Sequence, residues 1–135
     1  MSASTADTVT GVTVTIARDP ALVRTVRLVA AAVARRTGRD EEFVEEVRLA
    51  VGEACALMIG EEGETPEESD PVTVAIQLDQ VLQVKVTSQQ SVETEDPLHS
   101  DIDGVEPWAL LRGLIPDFKV LAEGAATTVS MSWRL

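Results

Sequence analysis

Tyrosine is absent from this chain, and its whole aromatic complement is Phe43, Phe118, Trp108 and Trp133. A core of ordinary size must therefore be filled by Val, Leu, Ile and Ala. Cysteine is nearly absent as well. The single Cys55 excludes an internal disulfide and points to a reducing compartment. Set between Ala54 and Ala56 in an apolar stretch, it reads as a small buried thiol, not a nucleophile. The lone histidine, His99, lies among acids and is too little to build a Cys–His dyad or a zinc site with it. No apolar run approaches the ~20 residues that cross a bilayer, and residues 1–10 are small and polar where a signal peptide would be greasy. These absences lead to the expectation of a cytoplasmic protein.

Positive charge is the other shortage. Eleven Lys and Arg stand against 23 Asp and Glu, a formal net charge of −12. Such a surface repels nucleic acid and anionic membrane and favours a partner with a basic face. The distribution is uneven. Arg18, Arg24, Arg27, Arg35, Arg36 and Arg39 fall in one early stretch, while acids crowd into residues 40–46, 61–70 and 93–103. Most such runs are solvated faces and loops.

What is present is the material of one domain: 135 residues, 44% hydrophobic and 25% charged. Residues 1–10 read as a flexible tail and 11–135 as a single domain. Residues 12–16 alternate apolar and polar, as a half-buried strand does. Asp19 and Pro20 start a helix whose apolar stripe is Leu22, Val23, Val26, Val29, Ala30 and Val33, and Gly38 closes it. Asp40 caps a second helix with glutamates in its first turns and a stripe of Phe43, Val47, Ala50, Val51, Ala54 and Met58. Residues 72–78 and 81–86 form a hairpin about Asp79 and Gln80. Residues 88–104 read as a long polar loop, 106–114 as a short helix, and 117–121 and 127–133 as closing strands turning at Gly124. The order predicts an α/β (α+β) sandwich, a mixed and mostly antiparallel five-stranded sheet with three helices on one face.

The run Val44-Glu45-Glu46-Val47-Arg48-Leu49-Ala50-Val51-Gly52-Glu53-Ala54-Cys55-Ala56 resembles the second helix of the anti-sigma factor serine kinases, small bacterial regulators with the Bergerat (GHKL) ATPase fold. The likeness extends back through Val26-Arg27-Leu28 and Asp19-Pro20, and forward to Thr127-Thr128-Val129-Ser130-Met131. It implies a magnesium–ATP site and a partner-binding arginine on the first helix, here Arg27 with Arg24 one turn earlier. It also exposes three departures. The family's second helix carries an Asn four residues after its catalytic Glu; Glu53 is present, but Leu57 stands at the Asn position and offers a hard cation no oxygen. After the hairpin, where the family has an adenine-binding Asp and glycines, the chain reads Val86-Thr87-Ser88-Gln89-Gln90-Ser91. The phosphate-cradling glycine turn is reduced to Gly104, followed by Pro107 and Trp108.

The sequence reading is therefore a non-catalytic, anti-sigma-factor-like regulator without cofactor or metal. Glu53 is vestigial, and Leu57, Thr87, Gly104, Trp108 and Thr127 mark the degenerate nucleotide positions. Its partners are a sigma factor or an anti-anti-sigma-like protein, held through Arg24 and Arg27, with a second copy or a related kinase as a further partner. Arg27 reads equally as an exposed arginine paired with a nearby acid. Trp108 reads as a plug in the old pocket or as an exposed anchor. The alternative is an active ATP-dependent serine/threonine kinase with an aberrant site.

Overall fold

The computed structural model describes residues 10–59, 71–89, 108–124 and 126–135. Strand β1 (Thr10–Ile16) leads through a 3-10 turn (Pro20–Leu22) into α1 (Val23–Arg35) and α2 (Glu41–Ile59). Then follow β2 (Val72–Leu78), β3 (Val81–Ser88), α3 (Ala109–Leu114), β4 (Asp117–Glu123) and β5 (Ala126–Arg134). β1 starts at Thr10, one residue inside the segment read as a tail.

Local chemistry sets the boundaries. The Asp19 carboxylate accepts from the Ala21 amide at 3.0 Å, and Pro20 supplies the fixed φ of a helical first turn. Gly38, at φ 81°, turns the chain after α1 in a conformation L side chains resist. Asp40 then accepts from the Phe43 amide at 3.0 Å, an N-cap for α2. Gly124, at φ 61°, reverses β4 into β5.

The sheet order is β1-β2-β3-β5-β4, and all four pairings are antiparallel. The mixed sheet expected from the element order is thus wholly antiparallel in its pairings. β1 and β2, joined through the two helices, pair antiparallel. The single helix α3 leaves β3 and β4 running the same way, but β5 lies between them and pairs with both.

Alternation divides the sheet into two faces. Val72, Val74, Ile76, Leu82, Val84, Val86, Val129, Met131 and Trp133 are buried against the helices. From that side α1 contributes Val26, Ala30 and Ala34, α2 contributes Val44, Val47, Val51, Ala54 and Met58, and the α3 segment Trp108 and Leu111. Burying each such valine or leucine stabilises the fold by about 1.5–3 kcal/mol. The opposite face is half-buried or exposed, mostly Thr, Ser, Gln and Lys, with Ala75, Val81 and Leu121 among them. At one end Trp133 stands edge-on to Phe43, centroids 6.4 Å apart at 84°, and its indole N–H donates to Glu46 Oε2 at 3.0 Å.

Candidate functional site

Register places the end of β3 beside the end of α2. Ile16 pairs with Val72, Val72 with Ser88, and Ser88 with Thr127, so these residues form one row across the sheet. All four are buried on the helix side, and Ser88 and Thr127 are its polar members. Arg18, two residues beyond Ile16, lies across this row. It is 5% exposed, donates from Nη1 to the Met58 carbonyl at 2.6 Å, and donates from Nη2 to Ser88 Oγ. Met58 is next to last in α2, among the carbonyls that no helical amide satisfies. The last turn of α2 has no basic residue of its own, so Arg18 brings a cation to the negative end of the helix from elsewhere in the chain.

Glu53 and Leu57 are one turn apart on α2, and both are half-buried. Leu57 packs against the core. Among the described residues no three His, Cys, Asp or Glu side chains gather closely enough to hold a metal ion. Trp108 is fully buried, with its ring centroid 6.1 Å from that of Phe118, so the exposed-anchor reading of this residue is corrected. Gly104 lies outside the described residues, as do His99 and most of the expected 88–104 loop.

Thr87 requires a second correction. It faces away from the helices, hydrogen-bonded to the Thr128 hydroxyl at 3.1 Å, and lines a cleft of about 280 Å³ with Lys85, Leu121 and Ser130 on the open face of the sheet. The inward position is Ser88. Strand alternation carries that signal, because Leu82, Val84 and Val86 point inward and Ser88 continues their phase. The sequence reading starts a loop at Ser88, which hides its inward position. Nothing in the sequence marks Arg18 as buried among its exposed neighbours.

α1 carries the arginine face. Arg24, Arg27, Arg35 and Arg36 are exposed; Val26 and Val33 are buried and Leu22 and Val29 half-buried, as the stripe required. Arg35 meets Glu41 at 3.5 Å. Arg27 makes no ion pair among the described residues. Its side chain instead lies over Gly52 of α2: a Cβ built there would stand 3.1 Å from Arg27 Cγ and Cδ and collide with Nε. Arg27 also lines a shallow cleft of about 170 Å³ with Glu45, Arg48 and Leu49. Behind it Cys55 is buried. Desolvation pushes the thiol up to about 12, against the opposing pull of the Arg27 guanidinium. It is therefore a neutral packing group at physiological pH.

A five-stranded antiparallel sheet with its helices on one face and α2 laid along it defines a Bergerat-type fold. Residues 16–133 match the model of the histidine kinase-like ATPase domain. The chain belongs to that family. Among solved structures it is similar to the RsbU and RsbW domains of Rv1364c from Mycobacterium tuberculosis, with a TM-score of 0.70 and 16% identity over 93% of this chain. At that identity the likeness is one of fold, and this chain spans 32% of the length of that one. No curated protein matches this chain. No helix among the described residues is long and apolar enough to cross a membrane.

Proposed function

We propose that this chain is a non-catalytic regulator that works by binding another protein through α1, and that nucleotide binding has been lost. The observation that carries the reading is Leu57. A magnesium ion bridging phosphates needs oxygen ligands, and the helix position one turn after Glu53 supplies an aliphatic side chain packed on the core. The described side chains do not fit magnesium–ATP elsewhere either. The inward end of β3 carries Ser88, whose hydroxyl accepts from Arg18, so a buried cation and its hydrogen bonds lie where β3, β5 and α2 converge. Among the described residues Glu53 belongs to no group of three metal-ligating side chains, and a base without an activated acceptor has no reaction to catalyse.

The implied partner is a sigma factor or an anti-anti-sigma-like protein, contacted by Arg24 and Arg27. Both arginines are exposed on a chain of net charge −12, and a guanidinium fork holds a carboxylate at two points. The test is complex formation with purified sigma factors and anti-anti-sigma-like proteins of the source organism, with and without magnesium–ATP. The reading expects a complex whose affinity ATP leaves unchanged, and no transfer of labelled γ-phosphate to the partner. Phosphate transfer would instead establish the active serine/threonine kinase.

A further inference from the structure

Gly52 is the one glycine inside α2, where glycine costs about 1 kcal/mol relative to alanine. It is buried, and what buries it is the stem of Arg27, which fills the notch left by the missing Cβ. Arginine stems commonly cover apolar surface while the head stays wet. Here the stem crosses from α1 to α2, which fixes the direction in which the guanidinium leaves the surface.

Arg27 lines a shallow cleft there with Glu45, Arg48 and Leu49. Glu45, which also lines the cleft, is engaged by Arg48 at 3.0 Å, so Arg27 is the arginine of this cleft that forms no ion pair among the described residues. Leu49 is 54% exposed, and Leu28, next to Arg27 on α1, is 58% exposed. Exposed leucines beside an uncommitted guanidinium on a strongly acidic protein match a partner segment carrying a carboxylate next to an aliphatic side chain.

We propose that α1 and α2 together form the docking face for such an acidic, aliphatic-bearing segment of a partner protein. Arg27 and Leu49 are its contacts, and Gly52 is the positioning residue that seats Arg27. The proposal rests on the protein-binding reading above and adds α2 to the face. Gly52→Ala leaves both contact residues in place. It forces the Arg27 stem out of its notch and strengthens the helix.

The experiment titrates the full chain and its variants against the same panel of purified sigma factors and anti-anti-sigma-like proteins by biolayer interferometry. Arg27→Ala and Leu49→Glu are expected to weaken the binding partner about tenfold or more, the scale of a residue at the centre of an interface. Gly52→Ala should weaken it several-fold with an unchanged or raised melting temperature, and should have no further effect in the Arg27→Ala background. A merely structural glycine would not show that loss of additivity. Lys85→Glu, on the open face of the sheet, should bind as the parent does. If the parent binds but Leu49→Glu and Gly52→Ala match it, the two-helix face is wrong while the protein-binding reading stands. If no panel member binds the parent, both fall. If Leu49→Glu instead dissociates a dimer in sedimentation, the face belongs to a second copy and the proposal is overturned.

Discussion

Two residues in this molecule are buried for opposite reasons. Cys55 is an apolar filler whose ionisation is suppressed by desolvation. Its pKa rises from 9.0 to about 12 on folding, so the neutral form is favoured in the native state. The stabilisation is complete below pH 9 and is lost as the pH rises towards 12, at roughly 1.4 kcal/mol per pH unit over that interval. Urea unfolding across that range should show this slope in the parent and lack it in Cys55→Ala, and an equal slope in both would contradict the assignment. Arg18 is buried as a charge, and its guanidinium is matched by Met58 and Ser88. Replacing it with methionine removes donors from a buried carbonyl and a buried hydroxyl. A stability loss of roughly 2–4 kcal/mol is expected from the shift of the urea midpoint. A loss below 1 kcal/mol would mean that these bonds are readily replaced by water.

At the scale of elements, sequence legibility followed hydrophobic periodicity. The stripe of α1, the apolar run of α2 and the alternation of β2 were visible because each buries one face against a single core. The capping roles of Asp19 and Asp40 and the turn at Gly38 were equally readable, since each satisfies a local backbone requirement. What local patterns could not carry was the relation between elements. That β5 inserts between β3 and β4 depends on sheet order, and so does the antiparallel character of the whole sheet. The burial of Arg18 depends on three elements ending at one place. Thr87 falls outside the site for a simpler cause: a β3 that ends at Val86 loses the phase that turns Ser88 inward and Thr87 outward. The one-turn spacing of Glu53 and Leu57 and the solvent-facing side of α1 were legible because a helix fixes the relative directions of its side chains. The loop residues of the expected site, Gly104 among them, lie outside the described residues.

Across the whole molecule, charge is separated from structure. The acids dominate the total, yet the exposed side of α1 is basic, with Arg24, Arg27, Arg35 and Arg36 all accessible. Arg27→Glu should therefore abolish capture of the partner, while the exposed charge itself contributes only about 0–1 kcal/mol to stability and the shorter stem loses its packing over Gly52. Wild-type retention of the partner in a pull-down would place the interface elsewhere. A restoring substitution probes the other half of the reading. Leu57→Asn alone should not recover ATP binding, because the inward position of β3 is still a serine tied to Arg18. Recovery by that one change would mean that the rest of the site is intact.

The central claim is that this member of the histidine kinase-like ATPase domain family no longer holds nucleotide, and calorimetry on the unmodified chain addresses it directly. Titrating ATP with excess magnesium into the full chain should give heats indistinguishable from dilution up to millimolar nucleotide. A saturable isotherm with a micromolar dissociation constant, about −8 kcal/mol of binding free energy, would contradict the account, since Leu57 and the Arg18-bonded Ser88 offer nucleotide no such ligands.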